Sequence, residues 1–155
     1  MGAGKTLVGA LVAERAHARF FDLDQLVEDK AGMSVAEIFA IHSEETFRAF
    51  EKAALPDVLR PDTVVALGGG VVMDDENWLL VSTRATTIYL EVPFDTIWER
   101  IHHLPGRPLA FNRTAAEVER LFERRRARYE EASHRIDATA EAGLVADEVL
   151  KLWSA

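Results

Sequence analysis

Met1-Gly2-Ala3-Gly4-Lys5-Thr6 opens the chain and carries the second half of a phosphate-binding loop. The full pattern of such a loop is G-x-x-x-x-G-K-[ST], and Gly4, Lys5 and Thr6 match its end. The first glycine of the pattern would stand two residues before Met1. We therefore expect this stretch to bind a nucleoside triphosphate. We also expect the buried strand that normally precedes such a loop to be missing from this chain.

The residues of the loop have separate chemical tasks. Gly2 and Gly4 lack a Cβ, so backbone N–H groups can approach phosphate oxygens closely. Lys5 supplies a positive charge for the β- and γ-phosphates, and the hydroxyl of Thr6 is suited to ligate Mg²⁺. The loop should therefore hold both the phosphates and their metal ion.

An amphipathic helix is predicted directly behind the loop, ending near Ala18. Its inner face is predicted from apolar residues at helical spacing: Leu7, Val8, Leu11 and Val12. The alternative is a glycine-rich initiator segment in which GKT occurs by chance. The amphipathic pattern favours the phosphate-binding loop.

Length and composition are typical of one globular domain. The chain has 155 residues, 48% of them hydrophobic, and no cysteine, so disulfides and thiolate metal sites are excluded. It shows neither a signal-peptide pattern nor an apolar run of membrane-spanning length. A formal net charge of −8 argues against nucleic acid as the main partner. We expect a single domain over residues 1–155, in a cytoplasmic enzyme.

Helices and strands alternate along the chain. Short apolar strands are predicted at 20–22, 63–67, 86–92 and 135–138, with helical segments between them. Ser34 with Glu37, and Thr114 with Glu117, have the spacing of capping boxes that begin helices. Strands separated by helices of this length predict an α/β fold, in which helices cover both faces of a parallel sheet.

Two short motifs follow predicted strands. Asp22 and Asp24 stand two apart, so we expect both carboxylates on one side of an extended segment, at the sheet edge where ligands bind. An acidic pair that caps the next helix is the alternative. Gly68-Gly69-Gly70 follows the second strand. Three successive glycines cost chain entropy, so we infer that a ligand approaches the main chain there.

Arg48 lies on a predicted helix among apolar and aromatic residues. One interpretation is a surface ion pair with Glu44 or Glu51 at helical spacing. The other is that its guanidinium binds an anion, because burying an arginine is costly without one. From the residues alone both interpretations stay open.

Taken in order, these segments resemble the shikimate kinase family from Met1 to Trp153. The resemblance rests on GAGKT at 2–6, FFDLD at 20–24, AGMSVAEIFAIHSEETFRAFE at 31–51, ALGGG at 66–70, GRPL at 106–109 and RRARYEEAS at 125–133. It implies a three-layer α/β/α fold of the P-loop, nucleoside-monophosphate-kinase-like class, with the first central strand missing here. It also implies transfer of the γ-phosphoryl group of ATP to the 3-hydroxyl of shikimate, giving shikimate 3-phosphate and ADP, with Mg²⁺ as cofactor.

The resemblance implies roles for individual residues on the ATP side. A lid over about 104–116 would close onto the phosphates through Arg107, and Arg100 would stack on adenine. Thr6 and Asp22 would form the magnesium environment. The residues expected to bind ATP are Gly2, Ala3, Gly4, Lys5, Thr6, Leu7, Arg100 and Arg107.

On the substrate side, the resemblance implies a clamp for a carboxylate. Arg48, oriented by Glu51, and Arg125 would hold the carboxylate of shikimate. Asp24 would bind its hydroxyls and accept the proton of the attacking one. Lys5, Asp24 and Arg107 are the expected catalytic residues. The residues expected to bind shikimate are Asp24, Arg48, Glu51, Gly68, Gly69, Gly70 and Arg125.

Two alternative functions remain open at this stage. One is another small-molecule kinase of the same fold, such as a gluconate kinase, although the two arginines and the glycine triplet speak against it. The other is a chain that binds its ligands without turnover, because part of the phosphate-binding loop is missing. We expect a monomer that binds ATP and shikimate, and neither nucleic acid nor membrane.

Overall fold

The computed structural model describes residues 2–102 and 113–153. Within them, eight α-helices and four short strands follow one another along the chain. In order these elements are α1 (Lys5–Arg15), β1 (Arg19–Asp22), α2 (Leu23–Ala31), α3 (Val35–Ile41), α4 (Glu44–Val58), β2 (Thr63–Ala66), a 3₁₀ turn (Val71–Met73), α5 (Asp75–Arg84), β3 (Ile88–Glu91), α6 (Phe94–Ile101), α7 (Ala115–Glu130), β4 (His134–Asp137) and α8 (Ala142–Trp153). All four predicted strands are present.

Both predicted capping boxes are confirmed. The Ser34 hydroxyl accepts the N–H of Glu37, whose carboxylate accepts the N–H of Ser34, and α3 begins there. Thr114 and Glu117 make the same reciprocal pair at the start of α7. Each box satisfies two N–H groups that a helix start would otherwise leave without a partner.

The predicted inner face of α1 is wrong in part. Leu7 is 59% exposed, and the buried residues of the helix are Val8, Gly9, Val12 and Ala13. The buried face of α1 is turned towards Gly9, because Gly9 lets the ring of Phe20 on β1 pack closely: a Cβ at Gly9 would lie 2.7 Å from that ring. The helix also ends at Arg15, before the predicted Ala18, and His17 then takes a positive φ of 54° in the turn towards β1.

Strands pair in parallel, as the βα alternation predicts. β1 pairs with β2 in the register Arg19↔Thr63 to Asp22↔Ala66, and β3 pairs with β4 from Ile88↔His134 to Glu91↔Asp137. Neighbouring side chains of β2 point to opposite faces. Val64 packs on the cluster that contains α1 and α8, and Val65 packs on the cluster that contains α4 and α5. Helices therefore cover both faces, which confirms the three-layer α/β/α fold.

A cleft of about 530 Å³ lies between β2 and β3, which do not pair with each other. We name it the central cleft; apolar side chains from both strands and from α1 line it, among them Val8, Val12, Val64 and Leu90. No strand occupies it within residues 2–102 and 113–153. Its position, leading into α1, is where a strand before the phosphate-binding loop would run. Among the described helices, none is long and apolar enough to cross a bilayer.

We predict that an added strand will stabilise the protein through this cleft. Five β-branched residues (Val-Ile-Val-Ile-Val) placed before the phosphate-binding loop should pair with the edges of β2 and β3 that face the cleft, and should bury apolar surface there. We expect the free energy of unfolding to rise by roughly 2–4 kcal/mol. Urea denaturation measures it, with a Gly-Ser-Gly-Ser-Gly extension as the matched control. Equal midpoints for the two extended proteins would contradict the assignment of the cleft.

Candidate active site

The phosphate-binding loop ends in a left-handed turn that begins α1. Gly4 is the N-cap residue with φ 86°, and Gly2 has φ 63°, values that L side chains rarely adopt. The N–H groups of the first turn of α1 are therefore at the loop and have no partner inside the helix, which is an arrangement that binds anions. Arg100 of α6 donates to the carbonyl oxygen of Gly2 at 3.3 Å, so its side chain reaches the loop. The structure does not test its predicted stacking on adenine.

Asp22 links the loop to α2. One carboxylate oxygen accepts the Thr6 hydroxyl at 2.5 Å, and the other accepts the N–H groups of Asp24 and Gln25 at 3.0 and 3.4 Å. The expectation that both acids stand on an extended segment is wrong, because α2 begins at Leu23 and places Asp24 in its first turn. The capping alternative is correct for Asp22.

Thr6 and Asp22 together offer the oxygen ligands that Mg²⁺ prefers. A hydroxyl and a carboxylate already within 2.5 Å of each other suit a hard cation that keeps several of its waters. The described residues contain no cluster of three acidic, histidine or cysteine side chains that could enclose a metal ion by themselves. The pair therefore fits a magnesium ion that arrives with the triphosphate.

A buried carboxylate, Glu51, and a half-buried one, Asp24, meet beside the glycine loop at 68–70. Glu51 is 0% exposed, and one oxygen of Glu51 and one of Asp24 have no hydrogen-bond partner among the described residues. A Cβ built on Gly68 would lie 2.6 Å from the first oxygen and 2.8 Å from the second. Both oxygens therefore face the same small space, where a ligand hydroxyl or a water can donate to them.

The pKa values of both carboxyl groups are raised. Burial is the main cause at Asp24, with the neighbouring charge of Asp22 adding to it, and the nearby Lys5 and Arg48 opposing it. Burial also raises the pKa of Glu51 to about 7, although the adjacent Arg48 favours its charged form. The influence of Lys5 on Asp24 means that the phosphate-binding loop and this acidic pocket face each other. A carboxylate with a raised pKa is a better proton acceptor near neutral pH.

Arg48 makes both of the ion pairs that its helical spacing allows. Its guanidinium bonds Glu51 at 2.5 Å and Glu44 at 3.1 Å, and its side chain is about one quarter exposed. Gly70 makes room for it, since a Cβ there would lie 2.6 Å from Cζ of Arg48. The protein's own side chains thus fill the space that a Cβ at Gly68 or Gly70 would need, which the sequence interpretation, based on a ligand near the main chain, did not foresee.

Arg125 on α7 is the second expected arginine, and it is only 7% exposed. No carboxylate of the described residues lies within ion-pair distance of it, unlike Arg48. Its charge acts on the carboxyl group of Glu51, and its guanidinium hydrogen-bonds the hydroxyl of Tyr129, which itself bonds Gly69, so Arg125 lies beside the same pocket. A nearly buried guanidinium without an acidic partner is costly, and an anionic ligand would offset that cost.

Tyr129 is a residue of this region that the sequence interpretation missed. Its hydroxyl donates to the carbonyl oxygen of Gly69 at 2.5 Å. The signal was available, because Tyr129 follows Arg125 by four residues on a predicted helix and so shares its face. The predicted residue Arg107, and the predicted lid up to residue 112, lie outside the described residues.

The site therefore unites two parts: a phosphate-binding loop, and a pocket of two arginines and two carboxylates. A P-loop on an α/β/α fold facing such a pocket defines a phosphotransferase that acts on a small acidic molecule.

A model of the shikimate kinase family matches residues 1–153. The shikimate kinase of Streptococcus gordonii is 38% identical to this chain, over 98% of this chain and 92% of the relative. The shikimate kinase of Caldanaerobacter subterraneus subsp. tengcongensis is 40% identical, over 99% of this chain and 91% of the relative. The solved structure of the Acinetobacter baumannii shikimate kinase in complex with shikimate has a TM-score of 0.95, at 30% identity, over 99% of this chain and 88% of that one. This chain belongs to the shikimate kinase family, whose members are ATP-dependent kinases with an alcohol acceptor.

We predict that Gly70→Ala will weaken substrate binding in the pocket of Arg48 and Arg125 without unfolding the protein. The new methyl group would displace the Arg48 guanidinium from its place beside Glu51. We expect affinity for the acidic substrate to fall at least about tenfold, as when a charged hydrogen bond is lost. Isothermal titration calorimetry measures it. Gly143→Ala is the control, because its nearest new contact would be Arg15 at 3.4 Å; equal losses in both variants would contradict the prediction.

We predict that Glu51 makes stability fall as pH rises. Its pKa in the folded state, about 7, exceeds the value of 4.5 for an exposed glutamate. The folded state therefore holds the proton more tightly, and this stabilisation is lost as pH rises through 7. Between pH 5 and pH 8, the wild type should lose about 2 kcal/mol relative to Glu51→Gln. Urea denaturation at several pH values measures the difference, and parallel curves for the two proteins would contradict it.

Proposed function

We propose that this chain transfers the γ-phosphoryl group of Mg²⁺-bound ATP to the 3-hydroxyl of shikimate. The observation that carries the proposal is the buried Arg125, which has no carboxylate partner among the described residues and faces the same pocket as Arg48 and Glu51. A single carboxylate bound between the two guanidinium groups would hold a small acid firmly. Shikimate has that carboxylate and hydroxyl groups beside it.

The phosphate-binding loop would hold ATP. The N–H groups at the start of α1, shaped by Gly2 and Gly4, would contact the phosphate oxygens, and Lys5 would accompany the γ-phosphate during transfer. Ala3 and Leu7 belong to the same predicted contact set, together with Arg100. Arg107, in the predicted lid, would add a second positive charge in the manner of an arginine finger.

Magnesium would be held by Thr6 and Asp22, whose oxygens are already together. When bound, it neutralises phosphate charge and helps to align the phosphates. The hydrogen bonds from Asp24 and Gln25 hold the Asp22 carboxylate in place from the other side.

The acceptor side would orient one hydroxyl and take its proton. Arg48 and Arg125 would bind the substrate carboxylate, Glu51 would hold Arg48, and the loop of Gly68, Gly69 and Gly70 would offer its N–H groups. The unpartnered oxygen of Asp24 is available for the reacting hydroxyl. That hydroxyl oxygen bonds to the γ-phosphorus, the bond from this phosphorus to the bridging oxygen breaks, ADP leaves, and the proton passes to Asp24. Positioning of this kind accounts for much of the rate in such reactions.

The proposal also covers the oligomeric state, the location and the pathway of the protein. We expect a monomer in the cytoplasm that binds neither nucleic acid nor membrane, and that supplies shikimate 3-phosphate for aromatic amino-acid synthesis. Another small-molecule kinase of this fold is not favoured, because the family model and the relatives named above are shikimate kinases.

A coupled assay of ADP release tests the proposal. The purified chain is given Mg²⁺ and ATP with shikimate, with the methyl ester of shikimate, with gluconate, or with no acceptor. Of these four conditions, we expect rapid ADP release only in the one with shikimate. The methyl ester lacks the negative charge that the two arginines would bind. Release with gluconate and not with shikimate would overturn the proposal. Binding of shikimate without ADP release would support a non-catalytic chain instead.

We predict that Asp24→Asn will lower kcat far more than it lowers shikimate affinity. The amide is similar in size but cannot accept the proton, so kcat should fall by about 10²–10⁴-fold. Stopped-time ADP assays give kcat, and calorimetry gives the affinity. Asp29→Asn is the control on the same helix, since Asp29 is exposed and its one side-chain bond among the described residues is from Gln25. A kcat for Asp24→Asn equal to that of the control would remove Asp24 from the mechanism.

A further inference from the structure

The glycine loop is fixed through its carbonyl groups. The Gly68 carbonyl accepts the N–H of Val71 at 3.3 Å, and the Gly70 carbonyl accepts the N–H of Met73 at 3.1 Å. Both bonds are local, within the turn and the 3₁₀ turn that follow. The carbonyl of Gly69 is different, because its bond comes from α7, through the hydroxyl of Tyr129 at 2.5 Å.

The N–H groups of the same three glycines donate to no residue within 2–102 and 113–153. In a planar trans peptide, the N–H points opposite to the C=O of the same unit. Holding the Gly69 carbonyl therefore sets the direction of the Gly70 N–H and limits rotation of the neighbouring unit that bears the Gly69 N–H. The Gly69 N–H is already directed by the bond from Val71 to the Gly68 carbonyl, so the Gly70 N–H is the donor whose direction depends on the bond to the Gly69 carbonyl.

Tyr129 is well placed to hold it. Its ring lies 5.6 Å from the ring of Tyr89, tilted by 36°, and packs against the two largest core clusters, so the side chain has little freedom. Burial raises the pKa of Tyr129, and the charge of Arg125 and its hydrogen bond to the hydroxyl offset this only in part, so the hydroxyl keeps its proton and donates to Gly69 while it accepts from Arg125. Arg125 lies one turn earlier on the same helix.

We propose that Tyr129 is a positioning residue of the substrate pocket: its hydroxyl holds the Gly69–Gly70 peptide so that the loop and Arg125 meet one substrate. α7 then sets two sides of the pocket at once, the guanidinium directly and the loop through the tyrosine. The proposal rests on the proposed function for the identity of the substrate, shikimate. It adds a residue that acts through the carbonyl of Gly69.

Tyr129→Phe tests it, with Tyr89→Phe as the matched control. Each variant removes one hydroxyl from the same pair of neighbouring rings. We expect Tyr129→Phe to raise the KM and the Kd for shikimate by roughly three- to tenfold, the effect of one lost hydrogen bond. The KM for ATP should stay unchanged, and Tyr89→Phe should behave as the wild type. A purely structural role would change the KM for both substrates, or the melting temperature alone, and either result would overturn the proposal.

A second measurement leaves residue 129 intact. The chain has two tyrosines, so incorporation of 3-fluorotyrosine gives two ¹⁹F resonances, which Tyr89→Phe assigns. We expect saturating shikimate to shift the Tyr129 resonance and ATP alone to leave it in place. An unshifted resonance, in a sample that calorimetry shows to be saturated with shikimate, would overturn the positioning role. Failure of the wild type to bind shikimate at all would instead overturn the proposed function.

Discussion

The buried Glu51 carboxylate and its bond to Arg48 are the constraint on which the pocket depends. Glu51 is completely removed from solvent, and one of its oxygens is satisfied by the guanidinium at 2.5 Å. A buried charge without such a partner would be strongly destabilising. The glycine loop must then stay free of side chains at Gly68 and Gly70, because the acid and the arginine occupy the places of their Cβ atoms. Chain entropy is the cost of this arrangement.

A second link connects this pocket to the phosphates. Asp22 caps α2 and also accepts the hydroxyl of Thr6, so the loop that binds triphosphate and the helix that carries Asp24 share one carboxylate. A displacement of either element would disturb the other. This connection brings the proposed donor and acceptor into one site, although they come from segments on different elements. It also explains why the short strand β1 must end at Asp22 and turn at once into a helix.

Much of the fold could be predicted because its signals are local. The capping residues Ser34 and Thr114 bond residues three positions away, and the apolar runs of the strands are short and bounded by turns. The two errors have different causes. Leu7 is exposed because the distant Phe20 packs on Gly9, a contact that has no signature in the residues next to it. Asp24 is helical because Asp22 caps the helix that contains it, which is the local alternative that the sequence already offered.

The sequence by itself determined the chemistry of this protein: a triphosphate loop, the ordered motifs of a family, and the arginines and acids of its pocket. Those depend on residue type and spacing, which the chain states directly. Only the tertiary structure decided which groups meet. The burial that raises the pKa of Glu51, the packing of Arg48 over Gly70, and the bond from Tyr129 to Gly69 join residues on separate elements. Burial and hydrogen bonding of this kind exist only after the elements have packed together.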